Sequence, residues 1–244
     1  MSGLDYGLQY ARFHPDTEEH AERMAAWLRG ELAPHLPADR AAPVVDVGCG
    51  RGYALRALRA LGYADLAGVE ASPAQAERAR AAGFAVDVAD DTEAWLRERP
   101  GRFGAALLLD VLEHVPRERQ VALLAALRDA LVPGGCLVVT VPNANAILAS
   151  RWLYDDFTHH ASFTEGSLAF VLASAGFERV AIGAEKGLGL FPKRLWRRSQ
   201  RAAARKYIVR WLWLQVFKAE MPDAPIDAIS FELNLKAVAY RARA

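Results

Sequence analysis

Apolar residues fall into two kinds of pattern along most of the chain. Short continuous apolar runs, each followed by glycine or a carboxylate, predict strands that are buried on both faces of a sheet. Longer stretches with apolar residues at helical spacing lie between them and predict amphipathic helices. Strand and helix alternate at least five times, which indicates a parallel sheet with helices on both faces. We therefore expect an α/β protein with a doubly wound sheet.

The pattern also gives approximate bounds for each element. The predicted strands are 44–47, 66–70, 84–88, 105–110, 136–141, 177–182 and 228–240. The predicted helices are 17–33, 53–61, 73–82, 92–96, 116–131 and 164–176. Thr92 is expected to cap its helix, and 133–135 to form a turn before the fifth strand. The last strand alternates apolar and polar residues, as a half-exposed antiparallel strand does.

Length and composition favour one globular domain. The 244 residues are 52% hydrophobic and 24% charged, with a formal net charge of +1, so global charge predicts no partner. We expect one domain over 1–244, with 1–40 as an N-terminal helical cap. The N-terminal stretch lacks an apolar run, and no segment reaches the roughly 20 apolar residues of a membrane span. These features predict a cytoplasmic protein.

A glycine-rich turn after the first predicted strand carries the strongest chemical signal. The segment 44–52 reads Val-Val-Asp-Val-Gly-Cys-Gly-Arg-Gly, so alternate glycines lead from a strand into a helix. Glycines permit close approach of a ligand to the backbone. In a parallel sheet the ligand lies beyond the carboxyl ends of the strands. The candidate cofactor-binding residues at those ends are Asp46, Gly48, Cys49, Gly50, Gly52, Glu70, Ala71, Asp90, Asp91 and Asp110.

The spacing of this turn indicates what kind of ligand it holds. A dinucleotide site reads G-x-G-x-x-G and accommodates a pyrophosphate, whereas here Asp46 stands two residues before the first glycine. A carboxylate is poorly placed beside a pyrophosphate and well placed to meet a cationic amino group. Glu70 ends the next strand, where an acid accepts hydrogen bonds from ribose hydroxyls, and Asp90 or Asp91 could meet an adenine amino group. The predicted ligand is a nucleoside with a positive charge and no phosphate.

Several blocks along the chain resemble the motifs of class I S-adenosylmethionine-dependent methyltransferases. The matching segments are 44–52, 68–72, 109–115, 131–135, 141–143 and 163–177. The resemblance implies a Rossmann-like sheet of seven strands in the order 3-2-1-4-5-7-6, with the seventh antiparallel. It also implies S-adenosylmethionine as cofactor, bound by Asp46, Gly48, Gly50, Glu70 and the acid after the third strand.

Methyl transfer to a hydroxyl requires a nucleophile held about 3–3.5 Å from the methyl group, usually with help from a base. One candidate set is Asp110, Glu113 and His114, which share a face if the chain turns helically after the fourth strand. Two carboxylates and an imidazole could bind a divalent cation. A similar cluster in ubiquinone-pathway O-methyltransferases implies a metal; alternatively, these residues only orient the loop.

A second candidate set follows the fifth strand. Residues 154–160 read Tyr-Asp-Asp-Phe-Thr-His-His, and an imidazole held by a carboxylate suits a general base. We expect Asp156 and His159 to form the catalytic pair, with His160 as the next candidate. The alternative is a polar loop of helix caps and surface histidines.

A basic, aromatic stretch, 192–218, lies within a helical insertion at 186–226. Its arginines recur at helical spacing beside tryptophans: Arg194, Arg197, Arg198, Arg201 and Arg205, with Trp196, Trp211 and Trp213. Such a face could contact an anionic membrane, bind a phosphate-bearing acceptor, or be a solvated helix. Since the stretch is short and carries no recognisable RNA-binding motif, nucleic acid is not an expected partner.

These observations favour O-methylation of a sugar or glycan hydroxyl, on an acceptor that could be lipid- or phosphate-linked. The 155–160 segment with Phe163 and Thr164 resembles methyltransferases associated with bacterial polysaccharide assembly. The alternatives are a quinone precursor or small phenol as acceptor, and a non-catalytic methyltransferase-like binding protein. The glycine spacing disfavours a nicotinamide dehydrogenase.

Overall fold

The computed structural model of the chain describes residues 10, 12–13, 15, 17–183, 198–223 and 229–243. Within them, seven strands form one sheet in the order β3-β2-β1-β4-β5-β7-β6. The strands are β1 Val44–Val47, β2 Leu66–Glu70, β3 Val86–Val88, β4 Phe103–Leu109, β5 Leu131–Pro142, β6 Glu178–Gly183 and β7 Asn234–Tyr240. β7 is antiparallel to both β5 and β6, and the remaining pairs are parallel. The predicted α/β sheet and its order are confirmed.

Helices cover both faces of this sheet. They are α1 Glu18–Leu32, α2 Tyr53–Ala60, α3 Pro73–Ala81, α4 Thr92–Arg97, α5 Arg117–Ala130, α6 Ala149–Asp155, α7 Glu165–Ser174 and α8 Arg198–Glu220. Successive residues of a strand point to opposite faces. Accordingly Val45 and Leu108 belong to one buried apolar cluster, whereas Val44 and Leu107 belong to another. The two clusters fix the positions of the strand ends relative to one another, and therefore also the positions of the loops that follow them.

The fifth strand differs from the prediction. The expected turn at 133–135 is wrong, because the chain is already extended from Leu131 onward. Leu131 pairs with Phe103 and Cys136 with Ala105, so the β5 side carries extra residues in a bulge. Gly134, with φ +77°, adopts the left-handed conformation that such a bulge requires.

The start of the last strand and the cap of α4 also differ from the prediction. The last strand begins at Asn234 rather than at 228, which lies outside the described residues. Before it, the carbonyls of Ser230 and Glu232 accept hydrogen bonds from the buried side chain of Asn143 instead of joining the sheet. At α4 the cap is Asp91, not Thr92, since the Asp91 carboxylate accepts a hydrogen bond from the Ala94 amide at 3.1 Å.

The insertion between β6 and β7 contains the long helix α8. Arg210 of α8 is buried and forms an ion pair with Glu232 at 2.8 Å. Trp213 of the same helix donates a hydrogen bond to the carbonyl of Asn145, in the loop after β5. These contacts fix α8 beside the carboxyl end of β5. None of the helices in the described part of the chain combines the length and apolar character needed to cross a bilayer.

Candidate functional site

The glycine turn connects β1 to α2 with its backbone held against β2. The amides of Gly48 and Cys49 both donate to the carbonyl of Val69, at 2.8 and 3.2 Å. Gly48, Gly50 and Gly52 all have positive φ, at 72°, 51° and 80°. Side chains other than that of glycine rarely adopt this conformation. The turn therefore depends on its glycines for its path as well as for open space above it.

Two buried carboxylates lie at this turn. Asp46 and Glu70 are 3% and 8% exposed. Glu70 accepts hydrogen bonds from the amides of Gly50 at 2.8 Å and Ser72 at 2.9 Å, one on each carboxylate oxygen. Burial, together with the charge of Glu70, raises the pKa of Asp46 to about 8. A cationic ligand would relieve this unfavourable pairing of buried acids, so the turn is suited to a positively charged molecule.

The other predicted cofactor residues surround the turn with different exposures. Cys49 is buried, and burial raises the pKa of its thiol. Ala71 and Asp90 are exposed at the same edge of the sheet. Asp91 is exposed too, but its carboxylate caps α4 and lies 3.7 Å from the Arg119 guanidinium. Among the acids after β3, Asp90 is therefore the better candidate for an adenine contact.

The glycine turn packs against the segment that follows β4. A Cβ on Gly48 would lie 2.5 Å from Cγ2 of Val111. Asp110, the residue before Val111, has φ +53°, an uncommon conformation for a residue other than glycine. Thr140 Oγ1 donates to its carboxylate at 2.9 Å, and Asn234 Nδ2 does so at 3.3 Å. The glycine turn and the loop after β4, which holds the candidate acceptor residues, are thus in direct contact through Gly48 and Val111.

Beyond Asp110 the structure brings together two predicted sets that are far apart in sequence. Glu113, His114 and His159 place one ligand atom each within 4.8 Å of one another. The imidazole rings of His114 and His159 meet edge to face, with centroids 4.6 Å apart. We expected Asp110 to join Glu113 and His114. The described residues instead bring His159 to that position.

Glu113 is the least satisfied polar group of this cluster. Its side chain is 1% exposed, and Oε2 has no hydrogen-bond partner among the described residues. Burial, followed by the charge of Asp110, raises its pKa well above the ordinary value. Buried carboxylate oxygens are normally hydrogen-bonded, so this oxygen is available to bind a ligand.

Asp156 contacts Thr158 more closely than it contacts His159. The Thr158 hydroxyl donates to Asp156 Oδ1 at 2.6 Å, and Thr158 N donates to the same oxygen at 2.9 Å. Asp156 Oδ2 lies 4.0 Å from His159 Nε2, beyond hydrogen-bond distance. Burial alone would raise the pKa of Asp156, but the bonds from Thr158 and the neighbouring imidazoles outweigh it, and the pKa is lowered. Asp156 is therefore a charged acceptor.

The three histidines differ in their surroundings. The His159 side chain is 11% exposed, and its Nδ1 lies 3.1 Å from the carbonyl of Trp152. His160 has an exposed side chain, and its backbone amide donates to the carbonyl of Glu113 at 2.7 Å. Burial, followed by the charge of His159, lowers the pKa of His114 to about 4. His114 and His159 are thus the imidazoles of the cluster, and His160 contacts it through its backbone.

Sequence reasoning missed Thr158. Its hydroxyl lies 2.7 Å from His114 Nδ1, across 44 positions of sequence. A threonine within a polar loop carries no local signal of such a contact. The N-terminal segment was expected as a cap, and its described residues reach both the glycine turn and the α6 region: Tyr10 lies over Gly50, and Arg12 forms a 3.0 Å ion pair with Asp155.

Comparison with known proteins gives a consistent picture. Residues 17–182 match the model of a family described as a methyltransferase domain. The chain is 32% identical over 142 residues to a ubiquinone biosynthesis O-methyltransferase of Cereibacter sphaeroides, covering 54% of this chain and 56% of that protein. It is 34% identical over 133 residues to the protein of the same name from Xanthomonas campestris, covering 49% and 54%. The matches therefore span about half the length of these curated relatives.

Solved structures share the fold across nearly the whole chain. A SAM-dependent methyltransferase from Archaeoglobus fulgidus has a TM-score of 0.69 and 19% identity, covering 97% of this chain and 100% of its own. A Haemonchus contortus phosphoethanolamine N-methyltransferase 2, solved with S-adenosylhomocysteine, has a TM-score of 0.61 and 14% identity, covering 99% and 61%. At these identities the similarity establishes the architecture alone.

Proposed function

The chain belongs to the class I S-adenosylmethionine-dependent methyltransferases, and we propose that it transfers the methyl group to a hydroxyl of a small phenolic acceptor. The observation that carries the proposal is the cluster of Glu113, His114 and His159 beside the glycine turn. A hydroxyl acceptor must lose a proton as it attacks the methyl group, and this cluster is where the described residues offer help with that step.

In this proposal the glycine turn holds the cofactor and the two buried acids orient it. Asp46 faces the cationic end of the methionine portion. Glu70 faces the ribose hydroxyls. Its carboxylate oxygens, which now accept hydrogen bonds from Gly50 and Ser72, have further lone pairs for those hydroxyls. Asp90 lies where the adenine would end. Because Gly48 packs on Val111, a cofactor seated on the turn would direct its sulfonium toward the segment after β4.

The cluster also fits a divalent cation. Glu113 Oε2 is a buried oxygen lacking a described partner. One oxygen of this carboxylate and one ring nitrogen each of His114 and His159 lie within 4.8 Å of one another. One carboxylate and two imidazoles suit first-row metals such as Mn²⁺, Fe²⁺ or Zn²⁺ better than Ca²⁺. A bound cation would polarise the acceptor hydroxyl and lower its pKa. Glu113, His114 and His159 would bind the cation. The negative charge of Asp156 would lie close to the imidazoles of His114 and His159.

The aromatic acceptor is supported by exposed aromatic residues close to His159 in sequence and by the relatives. Trp152, Tyr154 and Phe157 precede His159 with 37%, 81% and 82% of their surfaces exposed, and they offer flat apolar faces to a ring. The relatives' names mention ubiquinone biosynthesis, which is consistent with a quinone-precursor acceptor. The glycan acceptor that the sequence favoured receives no support from these relatives.

A radiolabelled methyl-transfer screen tests this function. Purified protein is incubated with labelled S-adenosylmethionine and catechols, monophenols, free sugars or lipid-linked sugars, each with Mn²⁺ or with EDTA. We expect label on a catechol or related phenol, at a rate that falls when EDTA is present. Transfer to sugars alone would overturn the phenolic acceptor, and transfer that EDTA leaves unchanged would overturn the metal.

The outer face of α8 supports a contact with anionic membranes. Exposed residues at helical spacing place three arginines before four apolar side chains: Arg198, Arg201, Arg205, Ile208, Val209, Leu212 and Val216. A basic and apolar face of this kind binds anionic lipid surfaces. Trp211, another predicted residue of this stretch, is exposed on the same helix, whereas Arg194, Trp196 and Arg197 lie outside the described residues.

Co-sedimentation with phosphatidylglycerol vesicles tests the contact. Binding should exceed that to phosphatidylcholine vesicles. It should weaken in 0.5 M salt, because the Debye length there is only about 4–5 Å and the charges are screened. It should also be weaker for the Leu212→Glu variant than for the wild type. Equal sedimentation with both lipids, or an unchanged Leu212→Glu, would exclude α8 as a membrane-binding face.

A further inference from the structure

Three side chains form a hydrogen-bonded chain that ends at the candidate metal cluster. Asp156 Oδ1 and Thr158 Oγ1 are 2.6 Å apart, and Thr158 Oγ1 and His114 Nδ1 are 2.7 Å apart. Asp156 also accepts the Thr158 amide at 2.9 Å, which fixes the threonine relative to the carboxylate. The three groups come from two loops, one after β4 and one after α6, so the chain of bonds joins the two halves of the cluster.

The direction of each hydrogen bond follows from which of the groups carries a proton to donate. A threonine hydroxyl has one proton, and an ionised carboxylate has none. The Asp156–Thr158 bond therefore uses the hydroxyl proton, and Thr158 Oγ1 is left with lone pairs toward His114. The 2.7 Å contact then requires a proton on His114 Nδ1. The geometry thus places an acceptor, the Asp156 carboxylate, at one end of the chain of bonds and a donor, His114 Nδ1, at the other.

Fixing the proton on Nδ1 decides what the other ring nitrogen does. A neutral imidazole with Nδ1–H carries its lone pair on Nε2. Imidazoles that bind metals commonly donate the opposite N–H to a carboxylate, carbonyl or water, and that bond sets the tautomer. Here Thr158 lies between the carboxylate and the imidazole. Because its hydroxyl proton is donated to Asp156, its oxygen can only accept the proton on His114 Nδ1, and this sets the tautomer.

We propose that Thr158 is a positioning residue, which under the control of Asp156 holds His114 in the Nδ1–H tautomer and thereby directs the Nε2 lone pair to the reaction centre. The proposal rests on the function proposed above for Glu113, His114 and His159. Thr158 itself touches neither cofactor nor acceptor in this scheme. Its hydroxyl, rather than its size, is what the cluster requires.

The test uses Thr158→Val, which keeps the shape and removes the hydroxyl, and Thr158→Ser, which keeps the hydroxyl. Asp156→Ala is a second route to the same effect, because it frees the Thr158 proton for donation to Nδ1. Thr92→Val, at the first residue of α4, is a matched control outside the cluster. Nitrogen-15 NMR of the histidine side chains in the metal-free protein at pH 7 reports the tautomer, with His114→Gln assigning the signal.

We expect the Nδ1–H tautomer in the wild type, Thr158→Ser and Thr92→Val, and the Nε2–H tautomer in Thr158→Val and Asp156→Ala. Mn²⁺ affinity, followed by electron paramagnetic resonance, should fall about 10–100-fold in Thr158→Val and be restored in Thr158→Ser. A His114 tautomer that is the same in wild type and Thr158→Val would overturn the positioning role. If the tautomer changes while the wild type binds no Mn²⁺, the positioning role stands and the metal in the proposed function falls.

Discussion

Glu70 Oε2 accepts a hydrogen bond from the amide of Gly50 at 2.8 Å, so the carboxylate that ends β2 also shapes the glycine turn after β1. Its second oxygen binds the Ser72 amide in the same way at the start of α3. One acid thus joins two successive strand–helix units. Burial of Asp46, and after it the nearby charge of Glu70, raises the free energy of ionising Asp46.

Asp46 should lower the stability of the ligand-free protein. Its pKa is about 8 in the folded chain, against an ordinary 3.8. The unfolded chain therefore loses this proton first as the pH rises, and stability falls between pH 4 and pH 8, by on the order of 4 kcal/mol at pH 7. Asp46→Asn removes this loss, so it should be more stable than the wild type at pH 8 and similar at pH 4.

Urea unfolding at pH 4, 6 and 8 measures the effect, with Asp90→Asn as a control for the loss of one negative charge. Asp46→Asn should at the same time bind S-adenosylhomocysteine more weakly, because in the proposed function the Asp46 carboxylate faces the amino group of the ligand. A stability difference that does not grow between pH 4 and pH 8 would contradict the buried, cofactor-facing acid.

Gly48→Ala should disrupt the packing of the glycine turn against the loop after β4. The new Cβ would lie 2.5 Å from Val111 Cγ2, at a backbone φ of +72°. Together, the left-handed conformation and the overpacking should cost about 2–5 kcal/mol of unfolding free energy. In Gly48→Ala/Val111→Ala, part of this loss should return.

Gly30→Ala is the matched control for that experiment. Gly30 lies within α1, and a Cβ there would meet no described atom within 4 Å. Alanine is the better helix former by about 1 kcal/mol, so this variant should be slightly stabilised. Urea unfolding of the three variants gives the comparison, and equal effects of Gly48→Ala and Gly30→Ala would rule out the steric argument.

Arg210→Ala should loosen α8 from the sheet. The buried guanidinium forms its 2.8 Å ion pair with Glu232, and its removal leaves that carboxylate with the exposed Lys206 at 3.3 Å. Hydrogen bonds to charged groups contribute about 1.5–3 kcal/mol, whereas an exposed pair contributes about 0–1. Limited proteolysis should therefore cut the α8 region faster in Arg210→Ala than in Lys206→Ala. Equal cleavage rates would show that the buried pair does not anchor the helix.

His159→Ala and His160→Ala should separate the two adjacent histidines. His159 contributes its side chain to the cluster, and its loss should lower kcat for methyl transfer by about 100-fold or more. His160 contacts Glu113 through its backbone, which alanine retains. Its substitution should lower kcat by less than about tenfold. Both variants should keep the wild-type affinity for S-adenosylhomocysteine, and a larger kcat loss in His160→Ala would reverse this assignment.

The sequence predicted well what depends on local pattern. The bounds of β1 and β2 agree with the prediction, because each is a short apolar run that ends at a glycine or a carboxylate. The acids Asp46 and Glu70 lie at one edge of the sheet because parallel neighbouring strands end together. The bulge in β5 was missed, because Pro133-Gly134-Gly135 has the composition of a turn whether or not the flanking residues pair.

The acceptor side was predicted less completely, because its contacts join distant segments. Glu113 and His114 were proposed as one set and His159 as part of another, and only the packing of the loop after α6 onto the 3-10 turn Leu112–His114 unites them. Asp156 was paired with His159 from their spacing, whereas the fold places Thr158 against Asp156. Spacing along the chain does not specify which of several polar groups in a loop points inward.

The most direct test of the cofactor assignment is calorimetric titration of S-adenosylhomocysteine into the wild type and Glu70→Gln, with Glu77→Gln on the exposed side of α3 as the control. The wild type and Glu77→Gln should bind with equal affinity, and Glu70→Gln should bind about 10–100-fold more weakly, since a bond to a charged group is lost. A wild type that does not bind, or a Glu70→Gln that binds as tightly as the wild type, would contradict the placement of the cofactor on the glycine turn.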